Sequence, residues 1–222
     1  MTLVAVNRDL RKNGYYQNHN APDLMRWLDL VALGTVCDVV PLLGINRAFV
    51  RQGLKVMAKR ENIGLKMLID KSGITTYPNS YNLGFALGPR INACGRVGEA
   101  WLGNKLLKAK TAEEADKLTD KMNGYNTERK EIENYVFLQS VEILEGKPQE
   151  YPMAFVFGYD WHQGVIGIVA GKLREKYNVP AFVMSVEADE VKGSARSVDG
   201  VDLGALIIAA KEKGLVIKGG GH

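Results

Sequence analysis

Cysteine is almost missing from this chain of 222 residues, which holds two, Cys37 and Cys94. Two thiols cannot build a disulfide framework or a zinc cluster, so a reducing cytoplasm is the expected setting. No apolar run approaches the roughly 20 residues that a membrane span requires. No long apolar core follows Met1-Thr2-Leu3, so a secretory signal is not expected either. Internal repeats and low-complexity tracts are absent. Charge of one sign is not in large excess: the net charge of +4 tolerates a polyanionic partner without demanding one. No strong basic patch stands out, and the residue-level case for nucleic acid is thin.

What is present is ordinary for a soluble α/β protein, with 46% hydrophobic and 24% charged residues. The length suits one large domain or two small ones, with ample chain for a buried core. The C-terminal third is arranged around Trp161-His162-Gln163-Gly164-Val165-Ile166-Gly167. An apolar run, Met153 to Phe157, predicts a strand. Ile166, Val169, Ala170, Leu173 and Tyr177 then fall on one face of a helix. A strand, a glycine-containing turn and a helix start leave backbone N–H groups free for an anion, with His162 at their mouth. Ser194 and Arg196 in Gly193-Ser194-Ala195-Arg196-Ser197, and Gly219-Gly220-Gly221-His222, have the chemistry to complete a phosphate pocket. A structural histidine and a glycine linker are the alternatives.

The rest of the chain reads in order. Thr2 to Val6 is a short apolar run, and Arg8 to Tyr16 could end a helix. His19 sits in a polar loop and is read as solvated. Leu24, Trp27, Leu28, Val31 and Ala32 predict a helix opened by Pro22-Asp23 and stopped by Gly34-Thr35. Val36 to Leu42 then reads as a short buried stretch with one carboxylate inside it. Asp38 among apolar neighbours requires a partner: a metal ion, an arginine or backbone N–H groups. A turn or capping aspartate is the alternative. Asn46 to Ala58 predicts another helix, and residues 71–80 a loop-rich joint.

Leu87-Gly88-Pro89-Arg90-Ile91-Asn92-Ala93-Cys94-Gly95-Arg96 would suit a strained loop gripping an oxyanion, although two surface arginines near a turn fit as well. Cys94, between Ala93 and Gly95, reads as packing. Residues 98–146 are mostly helical, opened by the capping box Thr111-Ala112-Glu113-Glu114, and Gly124 could break or kink the run. Strands over 152–158, 181–187 and 190–197, with helices over 163–177 and 202–212, predict an α/β layer.

The blocks DLVALGTVCDVVPL, NRAFVRQGL, LGPRINACGR, WHQGVIGIVAGKL, GSARS and GGGH occur here in the order found in the RecJ family. These are bacterial single-strand-specific 5′→3′ exonucleases among the DHH phosphoesterases, and the resemblance runs from about Asp23 to His222. It implies the C-terminal part of a DHH catalytic domain over 1–97, a helical connector over 98–147 and an α/β DHH-associated domain over 148–222. Asp38 matches a ligand to catalytic Mn2+ or Mg2+, and Arg90 an arginine at the scissile phosphate. Asn92 and Arg96 belong to the same block. His162, Ser194, Arg196, Gly220, Gly221 and His222 match residues that hold the strand and its 5′ phosphate. The implied reaction is two-metal hydrolysis of phosphodiester bonds in DNA repair and recombination. Single-stranded DNA is the implied substrate, with single-strand-binding protein and a helicase as partners of the whole enzyme.

No Asp-His-His triplet occurs in the chain, and the family's upstream aspartate motifs and nucleic-acid-binding barrel are not in it. Asp38 would be the sole metal ligand, and two divalent ions need several. The resemblance therefore implies an internal fragment that is inactive alone. Two other functions remain open at this stage. One is a DHH phosphodiesterase of short oligonucleotides or cyclic dinucleotides; the other is a non-catalytic nucleic-acid-binding or scaffold module.

Overall fold

The computed structural model describes residues 2–146 and 152–221, which gather into two compact units. Residues 1–92 and 101–122 form the first unit, and residues 93–100 and 123–222 form the second. The span 98–147, expected as a separate connector, is shared between them.

Among the described residues the first unit is helical throughout. Its elements are α1 (Thr2–Lys12), α2 (Leu28–Cys37), α3 (Gly44–Met57), α4 (Ile63–Lys71), the first half of α5 (Gly88–Val97), α6 (Leu102–Leu107) and the first turns of α7 (Ala112–Glu145). Side chains fix several helix starts. Asp23 Oδ1 accepts from Met25 N–H at 2.9 Å and opens a 3-10 turn, Leu24–Trp27, that leads into α2. Asn62 Oδ1 accepts from Leu65 N–H at 2.8 Å at the head of α4. Thr111 Oγ1 accepts from Glu114 N–H at 3.2 Å, so the expected capping motif does open α7. Gly124 neither breaks nor ends α7, which runs 34 residues.

The core of this unit comes from Ala32, Met57, Leu65, Leu68, Ile69, Leu83, Leu87 and Leu106, all buried. Glycine permits the closest helix approach. A Cβ at Gly53 would lie 2.5 Å from the Ala32 methyl, so α3 can meet α2 only without a side chain there.

Three expectations fail here for identifiable reasons. Gly34 does not stop α2, which runs on through Thr35 and Val36 to Cys37, with the Thr35 hydroxyl donating to Val31 O at 2.7 Å. Asp38 is not in a buried stretch: it is the exposed C-cap of α2, and Val39 beside it is 85% exposed at φ 55°. Gly88 to Val97 is a helix rather than a strained loop. Pro89 follows directly on a π-helical stretch, Asn82–Leu87, that runs without a break into α5. Gly88 fits against α2, since a Cβ there would lie 2.8 Å from Cys37 Sγ.

The second unit is α/β. Its elements are β1 (Ala154–Tyr159), α8 (Gln163–Tyr177), β2 (Ala181–Glu187), β3 (Glu190–Arg196) and α9 (Leu203–Glu212), with the second half of α7. Strand order is β1-β2-β3 among the described residues. β1 and β2 are parallel, with Ala154 opposite Ala181, and α8 is their crossover. β2 and β3 form an antiparallel hairpin with Ala181 opposite Arg196. Alternation puts Ala154, Val156, Ala181 and Val183 under α8, where they meet Val165, Val169 and Leu173. Val136 of α7 joins the same core. Trp161 is buried in it too, its Nε1–H donating to Gln139 Oε1 at 2.8 Å. Asn178, at φ 52°, ends α8 in the left-handed cap conformation.

Candidate functional site

β1 ends at Tyr159, Asp160 takes φ 56°, and the chain turns into α8 through the buried Trp161. That turn places His162 at the helix N-cap. Its Nδ1 accepts the Gly164 N–H at 3.0 Å. The histidine thus satisfies one of the N–H groups that a bare helix start would offer. With Nδ1 as acceptor, the neutral ring carries its proton on Nε2. His162 is exposed, so this second nitrogen is available to a ligand.

The last turn of α5 lies against this helix start within the second unit. Arg96 Nη1 donates to Gly164 O at 2.9 Å. The backbones approach so closely that a Cβ on Gly164 would sit 2.9 Å from the Arg96 carbonyl carbon and nearer still to its oxygen. Gly95, Arg96, Asp160, His162, Gln163, Gly164 and Glu187 line a cavity of about 520 Å³. Asp160, Gln163 and Glu187 are not candidates from sequence; the polar corner around Asp160 was the available signal.

One turn further along α8, Gly167 faces β3. A Cβ there would lie 3.0 Å from Ser194 Oγ and 3.4 Å from Arg196 Nη2. Arg196 Nη1 donates to Ala195 O at 2.8 Å and reaches Ser194 Oγ at 3.5 Å. Behind the arginines, Arg129 on α7 donates to Asn126 Oδ1 at 2.9 Å and is paired with the buried Glu133. Lys172 of α8 also reaches Glu133, at 2.5 Å. Burial holds the pKa of Arg96 below its ordinary value. The charges of Arg129 and Arg196 add to that, and Glu133 opposes them. Arg129 and Arg196 thus both act on Arg96, while Asp160 and Glu187 place carboxylates on the cavity wall.

The structure thus brings Arg96, His162, Ser194 and Arg196 around the first two turns of α8. It does not bring every expected residue there. The Gly221 backbone lies against Gly204 in the first turn of α9, and Gly220 has open space around its Cα. His222 lies outside the described residues. Arg129 is a member that sequence reading missed, because its pattern is that of a solvated helix face.

Asp38, Arg90 and Asn92 belong to the first unit. The Cys37–Gly88 contact sets the end of α2 beside the start of α5, so Asp38 and Arg90 each lie within two residues of one contact. Burial lowers the pKa of Arg90, whose Nη1 donates to Ala86 O at 2.7 Å. Asn92 is exposed on the same helix. The Cys37 thiol is pushed up to about 11, by burial first and then by the Asp38 charge. Among the described residues no three His, Cys, Asp or Glu side chains gather where they could hold a metal ion. A single exposed carboxylate does not amount to a metal centre.

Comparison with known proteins bears on the fold and the family. Residues 150–222 match the DHHA1 domain. The chain is 33% identical over 229 residues to the single-stranded-DNA-specific exonuclease RecJ of Haemophilus influenzae, covering 99% of this chain and 40% of that protein. It also superposes on crystal structures of RecJ from Thermus thermophilus in complex with Mn2+ and with Mg2+. Each has a TM-score of 0.79 at 30% identity over 93% of this chain, which covers 30% and 32% of those chains. The chain spans about two fifths of the length of the Haemophilus relative. With sequence similarity along nearly its whole length and a shared α/β architecture, this chain belongs to the RecJ family of DHH phosphoesterases.

Proposed function

We propose that this chain is part of a metal-dependent 5′→3′ exonuclease that hydrolyses phosphodiester bonds in single-stranded DNA, acting in the cytoplasm in repair and recombination. The observation that carries the reading is the grouping of Arg96, His162, Ser194 and Arg196 around the first turns of α8. A phosphate seated there would receive charge-assisted hydrogen bonds from a guanidinium, a hydroxyl hydrogen bond and the His162 Nε2–H. That set recognises a terminal phosphate and fixes the strand end, so that the next linkage is presented in one register. The first unit is proposed as catalytic-domain sequence. There Arg90 would neutralise charge on the scissile phosphate, with Asn92 beside it. Mn2+ or Mg2+ is the proposed metal, and Asp38 is this chain's one contribution to its binding. Because that carboxylate does not make a metal site, the chain alone is proposed to be inactive. Single-strand-binding protein and a helicase are the proposed partners of the whole enzyme.

The test is binding, without metal, of a short single strand carrying a 5′ phosphate against its 5′-hydroxyl twin. A preference for the phosphate is expected, and Arg196→Ala should reduce it by about ten- to a hundredfold, the range for a charged hydrogen bond. Equal binding of both strands by the unaltered chain would refute the assignment.

A further inference from the structure

The first unit carries a second polar surface that the proposed site does not use. Along α3, Arg47, Arg51 and Lys55 recur every fourth residue, so they share one face at steps of about 6 Å. All three are exposed. The helix contains no acidic residue. Elsewhere in the unit some cations are paired: Arg60 with Asp70, Lys71 with Asp116 and Asp120, Lys117 with Glu113. Among the described residues, Arg47, Arg51 and Lys55 take part in no ion pair or side-chain hydrogen bond.

The same three residues line a cavity of about 420 Å³, whose other walls include Val50, Leu54 and Tyr77. Tyr77 is 56% exposed. Ser80 also borders the cavity, and the next residue, Tyr81, stacks on Phe85 at 4.7 Å between ring centroids. Both of those rings are exposed. A row of unneutralised cations beside an apolar hollow and exposed aromatic faces is the combination that holds a single strand without reading its sequence. The cations track phosphates, and the rings take bases.

We propose that the Arg47-Arg51-Lys55 face of α3 and the cavity beside Tyr77 bind the phosphodiester backbone and one base of a single-stranded nucleic acid. The strand's character rests on the exonuclease reading above. The surface itself rests on charge and shape within the first unit. Such a surface would hold nucleotides other than the phosphorylated end, and affinity would grow with strand length.

The experiment measures binding of oligothymidylates of increasing length to the full chain across a salt series. The unaltered protein is compared with the triple variant Arg47→Gln, Arg51→Gln, Lys55→Gln and with Tyr77→Ala. All four side chains are exposed, and circular dichroism checks that the variants fold. Losing three phosphate contacts should flatten the slope of log affinity against log salt by roughly 2 and weaken long strands at least tenfold. Tyr77→Ala should weaken binding with the slope unchanged, and 5-iodouracil strands should photocross-link to Tyr77. Unchanged affinity and slope in the triple variant would overturn the proposal. So would an acidic, apolar peptide that needs these three cations when strands do not. Loss of the length effect with the 5′-phosphate preference intact in the triple variant supports it. The same loss without any 5′-phosphate preference in the unaltered chain would refute the terminal-phosphate assignment alone.

Discussion

Replacing each of three glycines on α8 by alanine should give three different results, because each faces a different neighbour. At Gly164 the new methyl would lie 2.9 Å from the Arg96 carbonyl carbon and 3.1 Å from its Cα. Both are backbone atoms, so α5 and α8 must separate, and overpacking of this kind costs about 1–3 kcal/mol. At Gly167 the nearest atoms are Ser194 Oγ at 3.0 Å and Arg196 Nη2 at 3.4 Å, which can swing aside. The helix gain of alanine over glycine, about 0.5–1 kcal/mol, should then offset the crowding. At Gly171 nothing lies within 4 Å, so the same gain should appear undiminished. Amide hydrogen exchange at Val169 and Leu173, in the core of the second unit, reads its opening free energy directly. The expected order of stability is Gly171→Ala above the unaltered chain, Gly167→Ala near it and Gly164→Ala below it. Gly167→Ala should in addition weaken 5′-phosphate preference, because it displaces the Ser194–Arg196 pair. Equal protection in Gly164→Ala and Gly171→Ala would show that α5 and α8 do not approach as described.

Glu133→Gln should destabilise the second unit by roughly 3 kcal/mol, since it leaves the largely buried Arg129 without its carboxylate; Lys172, 43% exposed, can turn to water. Urea unfolding would measure this, and a change under 1 kcal/mol would mean the pair is not held. Cys37 should resist iodoacetamide at pH 8, because its thiol ionises only near 11. Its raised pKa also sets a sign: the folded state keeps the proton longer than the unfolded chain. Stability should therefore fall as pH climbs from 9.0 towards about 11. Cys37→Ser should flatten that part of the stability profile, and an unchanged slope would refute the assignment.

Much of the second unit was legible because its signals are local. The 163–177 helix and the 181–187 strand have the bounds that periodicity predicts, as Pro180 and the apolar spacing fix them within a few residues. The first unit was harder. Val36 to Leu42 has the composition of a buried stretch, but α2 ends within it at Cys37, and Val39 and Val40 beyond that end are exposed. Burial depends on which neighbours arrive, and no window around Asp38 contains them. The Gly88–Val97 segment looked like a loop because it is rich in small residues; those residues instead let a helix pack closely. The stripe Arg47-Arg51-Lys55 was readable in principle from its spacing. What could not be read was that all three cations would find no carboxylate.

By itself the sequence determined the helix and strand periods of the second unit, the capping motif of α7 and the order of the blocks that mark the family. It also determined which residue types were available for binding phosphate. Only the tertiary structure decided that Arg96, Ser194 and Arg196 converge on α8, that His162 turns one nitrogen inward to cap it, and that Asp38 stands in solvent. The reason is physical. Hydrogen bonding and side-chain period act over a few residues, whereas a site assembled from residues 96, 129, 162 and 196 exists only once long-range packing has closed the chain upon itself.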